Sequence, residues 1–381
     1  MTRIIFLLAI LCISYASIIG DTVDKTHAPK GRDHYIRWND SRVEPPVAHE
    51  EAKIDEIVQV MNKIVQRHLH KHRHAFRGTH VKTQGIVKGS LRVSDDLPDH
   101  LSQGLFATPK TYDVILRYAS EPIHIDDDRN RAPRGLGMKV FDVTGRHLHP
   151  SGNETRTHDF AFNSAPTLEL TDLPTALDIF KLRETHYDNP TELRAALALR
   201  SDRVKQSAPY TSPLMHVLSL TFFSQSAFRY GDNVVKFGLF SSSQRQREVS
   251  LKEIRSAEDI SESLREYFRN DSAHYDLKVQ MIENIAEQPV EDASAMWNWQ
   301  KYPWQTVATL ELPSGQDSFS PQRRTFWEDK MKLNVWHGLE EHKPLGSINR
   351  LRKRVYEMSS QFREENNATP IEKVSSIDQI P

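Results

Sequence analysis

Apolar residues recur at a helical interval near the beginning of the chain. Ile54, Ile57 and Met61 are three and four residues apart in the segment that starts at Glu51. Side chains with this spacing share one face, so the segment is predicted to form an amphipathic helix. The alternating histidines that follow, from His68 onward, could bind a metal. No fixed helical or strand face is evident there, so a solvated basic stretch is the preferred interpretation.

Short apolar and β-branched runs then alternate with helical blocks. Strands are predicted at residues 85–93, 112–118, 137–143, 159–162, 234–240, 277–285 and 307–312. Helices are predicted at residues 173–183, 192–205, 321–331 and 347–362. Because the strands and helices do not alternate regularly, the pattern predicts an α+β fold with an antiparallel sheet or barrel.

Composition and charge are those of an ordinary globular protein. The chain has 381 residues, of which 38% are hydrophobic, and its 50 lysines and arginines balance 51 acidic residues to a net charge of -1. This length suffices for one large domain or two modest ones. The lack of a basic excess argues against nucleic acid as a partner.

The N-terminus predicts a secretory signal peptide at residues 1–16. Arg3 gives a positive start and residues 4–13 are apolar. In residues 14–16, which read SYA, the small residues Ser14 and Ala16 are at positions that a signal peptidase reads. The apolar run is shorter than the roughly 20 residues that span a membrane, so a cleaved signal is preferred over an anchor. The single cysteine, Cys12, lies in this segment, and the secreted chain is therefore expected to contain no disulfide.

The rest of the chain is expected to form one main domain with extended ends. Residues 17–50 are predicted to be an extended arm, residues 51–365 the main domain, and residues 366–381 a polar tail. N-x-S/T sequons agree with a secretory route and a glycoprotein, and they begin at Asn39, Asn153, Asn270 and Asn367.

Histidine, arginine and asparagine residues stand out around the predicted strands. His80 precedes the first strand and lies three residues after Arg77, Arg117 lies on an apolar strand, and Asn163 follows another. A histidine can move protons near neutral pH, but His80 is one of 18 histidines and is not decisive alone. Buried arginines need anionic partners, which two carboxylates of a bound cofactor would supply.

The order of several short segments resembles that of a catalase. Residues 77–83 read RGTHVKT, residues 116–119 read LRYA, residues 131–141 read RAPRGLGMKVF, and residues 163–166 read NSAP. The resemblance extends roughly over residues 52–363 and identifies a short form of the catalase-like haem superfamily, similar to catalase-related peroxidases and allene oxide synthase domains. It implies an antiparallel β-barrel with helical insertions around a buried haem b with ferric iron.

The resemblance also implies an iron ligand near the C-terminus. Residues 352–356 read RKRVY, which matches the Arg-x-x-x-Tyr helix of the family, so Tyr356 would be the axial ligand. Residues four apart share a helix face, and Arg352 can therefore reach the Tyr356 oxygen. The guanidinium and ferric iron would keep this oxygen ionised, which favours peroxide chemistry over reversible O2 binding.

The resemblance implies roles for the remaining site residues. His80 would act as general base and then acid toward a peroxide, and Asn163 would donate a hydrogen bond to it. Arg77 and Arg117 would pair with the haem propionates. The Thr79 hydroxyl can bond to the imidazole and restrain it, which argues against strong catalase activity.

Three functions compete on this basis. The preferred one is a secreted haem enzyme that acts on hydrogen peroxide or organic hydroperoxides. The second is a fatty-acid hydroperoxide isomerase of the allene oxide synthase type, which needs a long apolar channel. The third is a non-catalytic haem or lipid carrier, which would not depend on His80 and Asn163; their presence favours an enzyme. Assembly into a homo-oligomer is left open.

Overall fold

Nine antiparallel strands form the central sheet in the computed structural model, which describes residues 34–249 and 253–381 except the side chains of residues 151 and 153. The strands are β1 (Lys82–Val93), β2 (Thr111–Ser120), β3 (Arg134–Val140), β4 (His158–Asn163), β5 (Phe222–Phe223), β6 (Phe228–Tyr230), β7 (Asn233–Ser241), β8 (Ala273–Met281) and β9 (Trp304–Leu312). Their order is β5-β4-β3-β2-β1-β9-β8-β7-β6, and β5 also pairs with β7. Eight strands therefore close into a ring, and β6 joins β7 as a hairpin, which confirms the predicted antiparallel barrel.

Side chains along β2 point alternately to the barrel core and to the outer face of the barrel. Leu116 and Tyr118 are fully buried in the barrel core, where large apolar side chains from the other strands meet them. Each such side chain contributes roughly 1.5–3 kcal/mol through burial. Arg117 lies between them in the sequence, and its side chain therefore points to the opposite side of the strand.

The α-helices in the described part of the chain are α1 (Glu50–His72), α2 (Pro150–Thr155), α3 (Leu173–Thr185), α4 (Pro190–Ala198), α5 (Arg203–Ser207), α6 (Gln244–Val249), α7 (Asp259–Asn270), α8 (Pro321–Thr325) and α9 (Ser347–Asn366), with a π-helical turn at Phe326–Lys330. Helices α1, α3 and α9 cover the outer face of β2. Ile57 and Met61 of α1 pack with Ile179 of α3 and Leu351 of α9 in a second apolar core. No helix in the described part of the chain combines the length and apolarity needed to cross a membrane.

Several predicted boundaries differ from the structure. The helix predicted at 192–205 is two helices, α4 and α5, and the helix at 321–331 changes into the π-helical turn. The strand predicted at 277–285 is β8 at Ala273–Met281. Helix α7 was not predicted, although Ile260, Leu264 and Phe268 are buried at helical spacing. Strands β5 and β6 are too short to produce a periodic pattern.

The interpretation of the histidines after residue 67 as solvated is wrong for one of them. His68 still belongs to α1 and is completely buried, and its ring lies beside those of His124 and Tyr187. Helix α1 continues through His72, so its apolar face also includes His68.

Both ends of the described chain pack on the domain. The predicted signal peptide and residues 17–33 of the predicted arm lie outside the described residues. Further along the arm, Tyr35 and Val43 are buried. In the segment predicted to be a polar tail, Val374 and Ile380 are buried in an apolar cluster that includes Trp327, because these few apolar side chains cover one side of the barrel.

Candidate functional site

A cavity lies between the outer face of β2, β3 and β4 and the helices α1, α3 and α9. The space open to the centre of a water molecule is about 220 Å³. All the site residues predicted from the sequence line this cavity, namely Arg77, Thr79, His80, Arg117, Asn163, Arg352 and Tyr356. The fold thus brings together residues that are distant in the chain.

Small residues on the strands leave room at the barrel wall. Ala119 of β2 is opposite Gly135 of β3, and Gly137 of β3 is opposite Ala161 of β4. These residues line the cavity and present almost no side chain to it. The wall is therefore open enough for other side chains, and for a ligand, to lie against it.

Helix α9 provides the opposite wall and carries Tyr356. Arg352 donates to the phenol oxygen through Nη2 at 2.8 Å and through Nε at 3.3 Å. Its Nη1 donates to the Asn349 Oδ1 atom at 3.2 Å. The spacing of four residues on one helix face makes this contact possible, as the sequence predicts. An oxygen donor with two charged N–H groups fixed on it therefore lines the cavity.

The backbone of His80 is held by the Arg117 side chain of β2 and by the backbone of Glu121, which follows β2. Its N–H donates to the carbonyl of Glu121 at 2.9 Å, and its own carbonyl accepts from Arg117 Nη2 at 2.8 Å. The φ angle of His80 is 52°, a left-handed conformation that is unusual outside glycine. The imidazole lies so close to Gly135 that a Cβ at that position would overlap it. Gly135 is therefore required for the observed position of the ring.

The imidazole of His80 is kept neutral. Burial, and then the positive charges of Arg117 and Arg352, lower the pKa of His80 to about 3. Its Nδ1 is buried and has no hydrogen-bond partner among the described residues. The expected bond from the Thr79 hydroxyl is therefore not formed at this atom, although Thr79 lines the cavity. A neutral imidazole can accept a proton from a bound molecule.

Asn163 is at the end of β4 and has a fixed side-chain amide. Its Oδ1 accepts from the backbone N–H of Ala165 at 2.8 Å, and its Nδ2 donates to the Glu121 carboxylate at 2.7 Å. Burial, and then repulsion from Glu169, raise the pKa of Glu121 to about 7. Glu121 was not singled out from the sequence, although it directly follows a buried strand.

The arginines predicted to bind cofactor carboxylates already share one carboxylate of the protein. Arg117 contacts the Glu328 Oε1 at 3.2 Å through both Nε and Nη2, and Arg77 pairs with Oε2. Although burial acts to raise it, the arginines lower the pKa of Glu328 to about 2. Glu328 lies in the π-helical turn, far from both arginines in the chain, so the sequence offered no local signal for this contact.

A third arginine joins this group. Arg363 is buried, donates to the Glu328 and Met331 carbonyls, and has an Nε without a hydrogen-bond partner among the described residues. Burial, and then repulsion from Arg77, lower the pKa of Arg363 to about 9. Its position seven residues after Tyr356, two helical turns along α9, could have identified it. Arg77 and Arg117 thus contact the Glu328 carboxylate, and the charge of Arg363 is close enough to lower its pKa further. Three positive charges near this carboxylate favour further anionic groups.

No protein-family model matches the chain. A curated relative, linolenate 9R-lipoxygenase from Nostoc sp. (strain PCC 7120), is 27% identical over 263 residues, which are 62% of this chain and 31% of that protein. The chain thus matches less than a third of the length of this relative.

Solved structures of catalases are similar over most of the chain. A fungal catalase has a TM-score of 0.58 at 14% identity, over 94% of this chain and 69% of that one. Catalase A from Saccharomyces cerevisiae has a TM-score of 0.59 at 13% identity, over 94% and 71% of the two chains. A bacterial catalase has a TM-score of 0.54 at 16% identity, over 93% and 70%. The chain therefore has a catalase-like fold, an antiparallel β-barrel with helical elements.

Proposed function

We propose that the protein is a haem-dependent oxidoreductase that acts on hydrogen peroxide or organic hydroperoxides. The observation that carries this proposal is the arrangement of two walls around one cavity. Tyr356, with its oxygen bonded to Arg352, lies on one wall, and His80 and Asn163 lie on the other. A separate group of arginines borders the same cavity.

The residues present fit a haem b with ferric iron. Tyr356 would bind the iron through its oxygen, and Arg77, Arg117 and Arg363 would hold the two carboxylates. The Nε of Arg363, which has no hydrogen-bond partner among the described residues, and the three positive charges near Glu328 support this assignment. The apolar side chains on the cavity wall suit a macrocycle, and they include Leu168, Phe180, Leu333, Leu351 and Val355. When bound, the ferric haem supplies a Lewis-acidic, redox-active iron for cleavage of a peroxide bond.

The distal residues manage the proton in this proposal. The neutral imidazole of His80 accepts the hydroperoxide proton and returns it to the oxygen that leaves, which departs as water or as an alcohol. Asn163 has one Nδ2 hydrogen directed to Glu121, and the other remains for a hydrogen bond to the substrate. Arg117 holds the backbone of His80 and therefore supports the position of the imidazole.

A fatty-acid hydroperoxide isomerase of the allene oxide synthase type is the second candidate. Two observations favour it: the similarity to a protein named as a linolenate 9R-lipoxygenase and the apolar character of the cavity wall. In that case His80 and Asn163 would direct the same first proton transfer, and the product would be an isomer of the substrate. A haem carrier without activity is the remaining alternative.

A haemin titration of the purified protein tests the proposal. We expect stoichiometric binding with a Soret band, followed by turnover when hydrogen peroxide or a polyunsaturated fatty-acid hydroperoxide is added separately. Oxygen release from hydrogen peroxide would indicate a catalase, and conversion of the lipid hydroperoxide alone would indicate an isomerase or peroxidase. Binding without turnover would indicate a carrier, and a failure to bind haemin would reject the proposal.

We also propose that the protein is secreted after cleavage of residues 1–16 and carries N-linked glycans. The support comes from the sequence and from exposed sequons at Asn39 and Asn270. Asn367 is different, because its Nδ2 donates to the carbonyl of Ala75 at 3.0 Å and its Oδ1 accepts from the Ala75 N–H. Expression in cells with a secretory pathway, followed by N-terminal sequencing and glycopeptide mass analysis, tests both statements.

A further inference from the structure

Glu121 contacts both residues that form the distal wall. Its carbonyl accepts from the backbone N–H of His80 at 2.9 Å. Its carboxylate accepts from the Asn163 Nδ2 at 2.7 Å. The backbone N–H of Glu121 donates to the carbonyl of Pro133 at 3.1 Å, which ties the residue to the segment before β3. One residue therefore links the imidazole-bearing segment to the amide on β4.

The charged groups around the carboxylate leave it only partly compensated. Glu169 also lines the cavity and accepts from Arg183 Nη2 at 2.8 Å. Arg183 of α3 thus serves two neighbouring carboxylates, and Tyr210, with Arg194 beside it, is a further titratable group near them. Two carboxylates that share one guanidinium in a buried place do not both ionise easily. Burial and Glu169 accordingly raise the pKa of Glu121 to about 7.

We propose that Glu121 is a positioning residue of the distal wall, which orients the Asn163 amide through its carboxyl group and the His80 backbone through its carbonyl. This inference rests on the proposed function, because it concerns the groups that face the peroxide. With the carboxyl group as acceptor, the Asn163 amide cannot rotate, and its second Nδ2 hydrogen keeps one direction. Loss of the carboxyl group leaves the amide held on its Oδ1 side by the Ala165 N–H but without an acceptor for its Nδ2, whereas the backbone contact with His80 remains.

The orientation of the amide is expected to depend on pH near neutrality. An ionised carboxylate is a stronger acceptor than a neutral carboxyl group. His80 does not titrate in this range, since its pKa is about 3. A change in distal ligand binding between pH 6 and pH 8 would therefore not come from the imidazole, and the Glu121→Gln variant decides whether it comes from Glu121.

Cyanide binding to the haemin-loaded protein tests this inference, with affinity measured from pH 5 to pH 8. Free cyanide stays protonated in this range and binds iron as its anion, so the released proton gives a constant slope of affinity with pH, and an inflection in that slope reports on the protein. We expect an inflection near pH 7 in the wild type and in Glu311→Gln, a matched change at an exposed glutamate on β9. Glu121→Gln should lose the inflection and keep most of the affinity, because its amide oxygen still accepts from Asn163. Glu121→Ala should bind cyanide about tenfold more weakly, which corresponds to one lost hydrogen bond.

An inflection that persists in Glu121→Gln, or an unchanged affinity in Glu121→Ala, would overturn the inference. Unfolding of the protein without haemin separates this failure from failure of the proposed function. The pKa of Glu121 is raised in the folded state, so its ionisation weakens the fold as pH rises through about 7. Glu121→Gln should therefore gain in unfolding midpoint relative to wild type from pH 5 to pH 8.

The comparison without haemin also tests the hydrogen bond itself. At pH 5, Glu121→Gln should match the wild type, and Glu121→Ala should unfold at a lower midpoint than both. Equal midpoints for Glu121→Gln and Glu121→Ala, or a Glu121→Gln difference that does not vary with pH, would contradict the role of this carboxyl group. Both outcomes are measurable even when the protein does not take up haemin.

Discussion

Arg352 donates two hydrogen bonds to the phenol oxygen of Tyr356, at 2.8 and 3.3 Å, from one turn earlier on α9. The guanidinium is itself anchored by Asn349, whose Nδ2 donates to the Ala227 and Leu345 carbonyls at 2.9 Å. The Tyr356 oxygen is thus fixed by Arg352 on the same helix and, through Asn349, by the backbone carbonyls of Ala227 and Leu345. The proposed iron site depends on this pair.

Replacement of Tyr356 by Phe should abolish the tyrosinate features of the haemin-loaded spectrum and the activity, because the oxygen donor is lost. Arg352→Leu keeps the oxygen but removes its partner, and should lower haemin affinity or activity by roughly 10–100-fold, as for outer partners of metal ligands. Tyr112→Phe is the matched control, since its hydroxyl contacts only the Leu105 carbonyl at 3.2 Å in the described structure. A Tyr356→Phe protein with the wild-type spectrum would reject the ligand assignment.

Gly135→Ala should disable the distal wall without loss of the fold. A methyl group there would overlap the imidazole of His80, which must then move. A displacement of about 1 Å can reduce the catalytic rate by about 100-fold. Gly85→Ala on β1 is the control, because Gly85 is not among the residues that line the cavity and its Cβ would meet the flexible end of Leu264, at 3.0 Å. Rates of peroxide turnover and circular dichroism of both variants provide the measurement; equal rates would show that the ring position is not critical.

Glu328→Gln should destabilise the protein without haemin by about 3–5 kcal/mol, because buried guanidiniums lose their anionic partner. Haemin carboxylates should restore part of this stability, so the gain in unfolding midpoint on haemin addition should be larger than in the wild type. Glu372→Gln removes an exposed pair with Lys330, at 2.8 Å, and should change stability by only about 0–1 kcal/mol. Urea titrations of both variants, with and without haemin, measure these changes in stability. A gain in unfolding midpoint on haemin addition equal to that of the wild type would argue against the arginines as the site that binds the haemin carboxylates.

Acid should weaken the fold below pH 6.5 through its buried histidines. Burial lowers the pKa of His80, His337 and His342 to about 3 and, together with His124, that of His68 to about 4. The unfolded state binds protons more tightly at these positions, so stability present above about pH 6.5 is lost as pH falls toward 4.

His68→Leu isolates one contribution to this acid sensitivity. Neither ring nitrogen of His68 has a hydrogen-bond partner of good geometry among the described residues, although the Ile123 backbone is near, so an apolar side chain should be tolerated at pH 7.5. The drop in urea midpoint between pH 7.5 and pH 5 should be smaller in this variant than in the wild type. An identical drop in the two proteins would exclude His68 as a contributor.

Local patterns in the sequence determined much of this protein. The positions of most strands along the chain, the amphipathic helix α1 and the helix of Arg352 and Tyr356 follow from periodicity, because backbone geometry sets which neighbouring side chains share a face. The predicted antiparallel barrel also agrees with the structure. Helix α7 was not predicted, although its apolar residues have helical spacing and the sequence therefore contains the signal for it.

Only the tertiary structure decided which distant residues meet. Arg77 and Arg117 were expected to pair with cofactor carboxylates, and the fold places Glu328, from a turn far along the chain, between them. Glu121 reaches Asn163 only because β2, β3 and β4 pair in their observed register. Such contacts depend on closure of the barrel and on the packing of α9 across it. Helical and strand periods encode neither, because they specify only the direction of a side chain and not the partner that it meets.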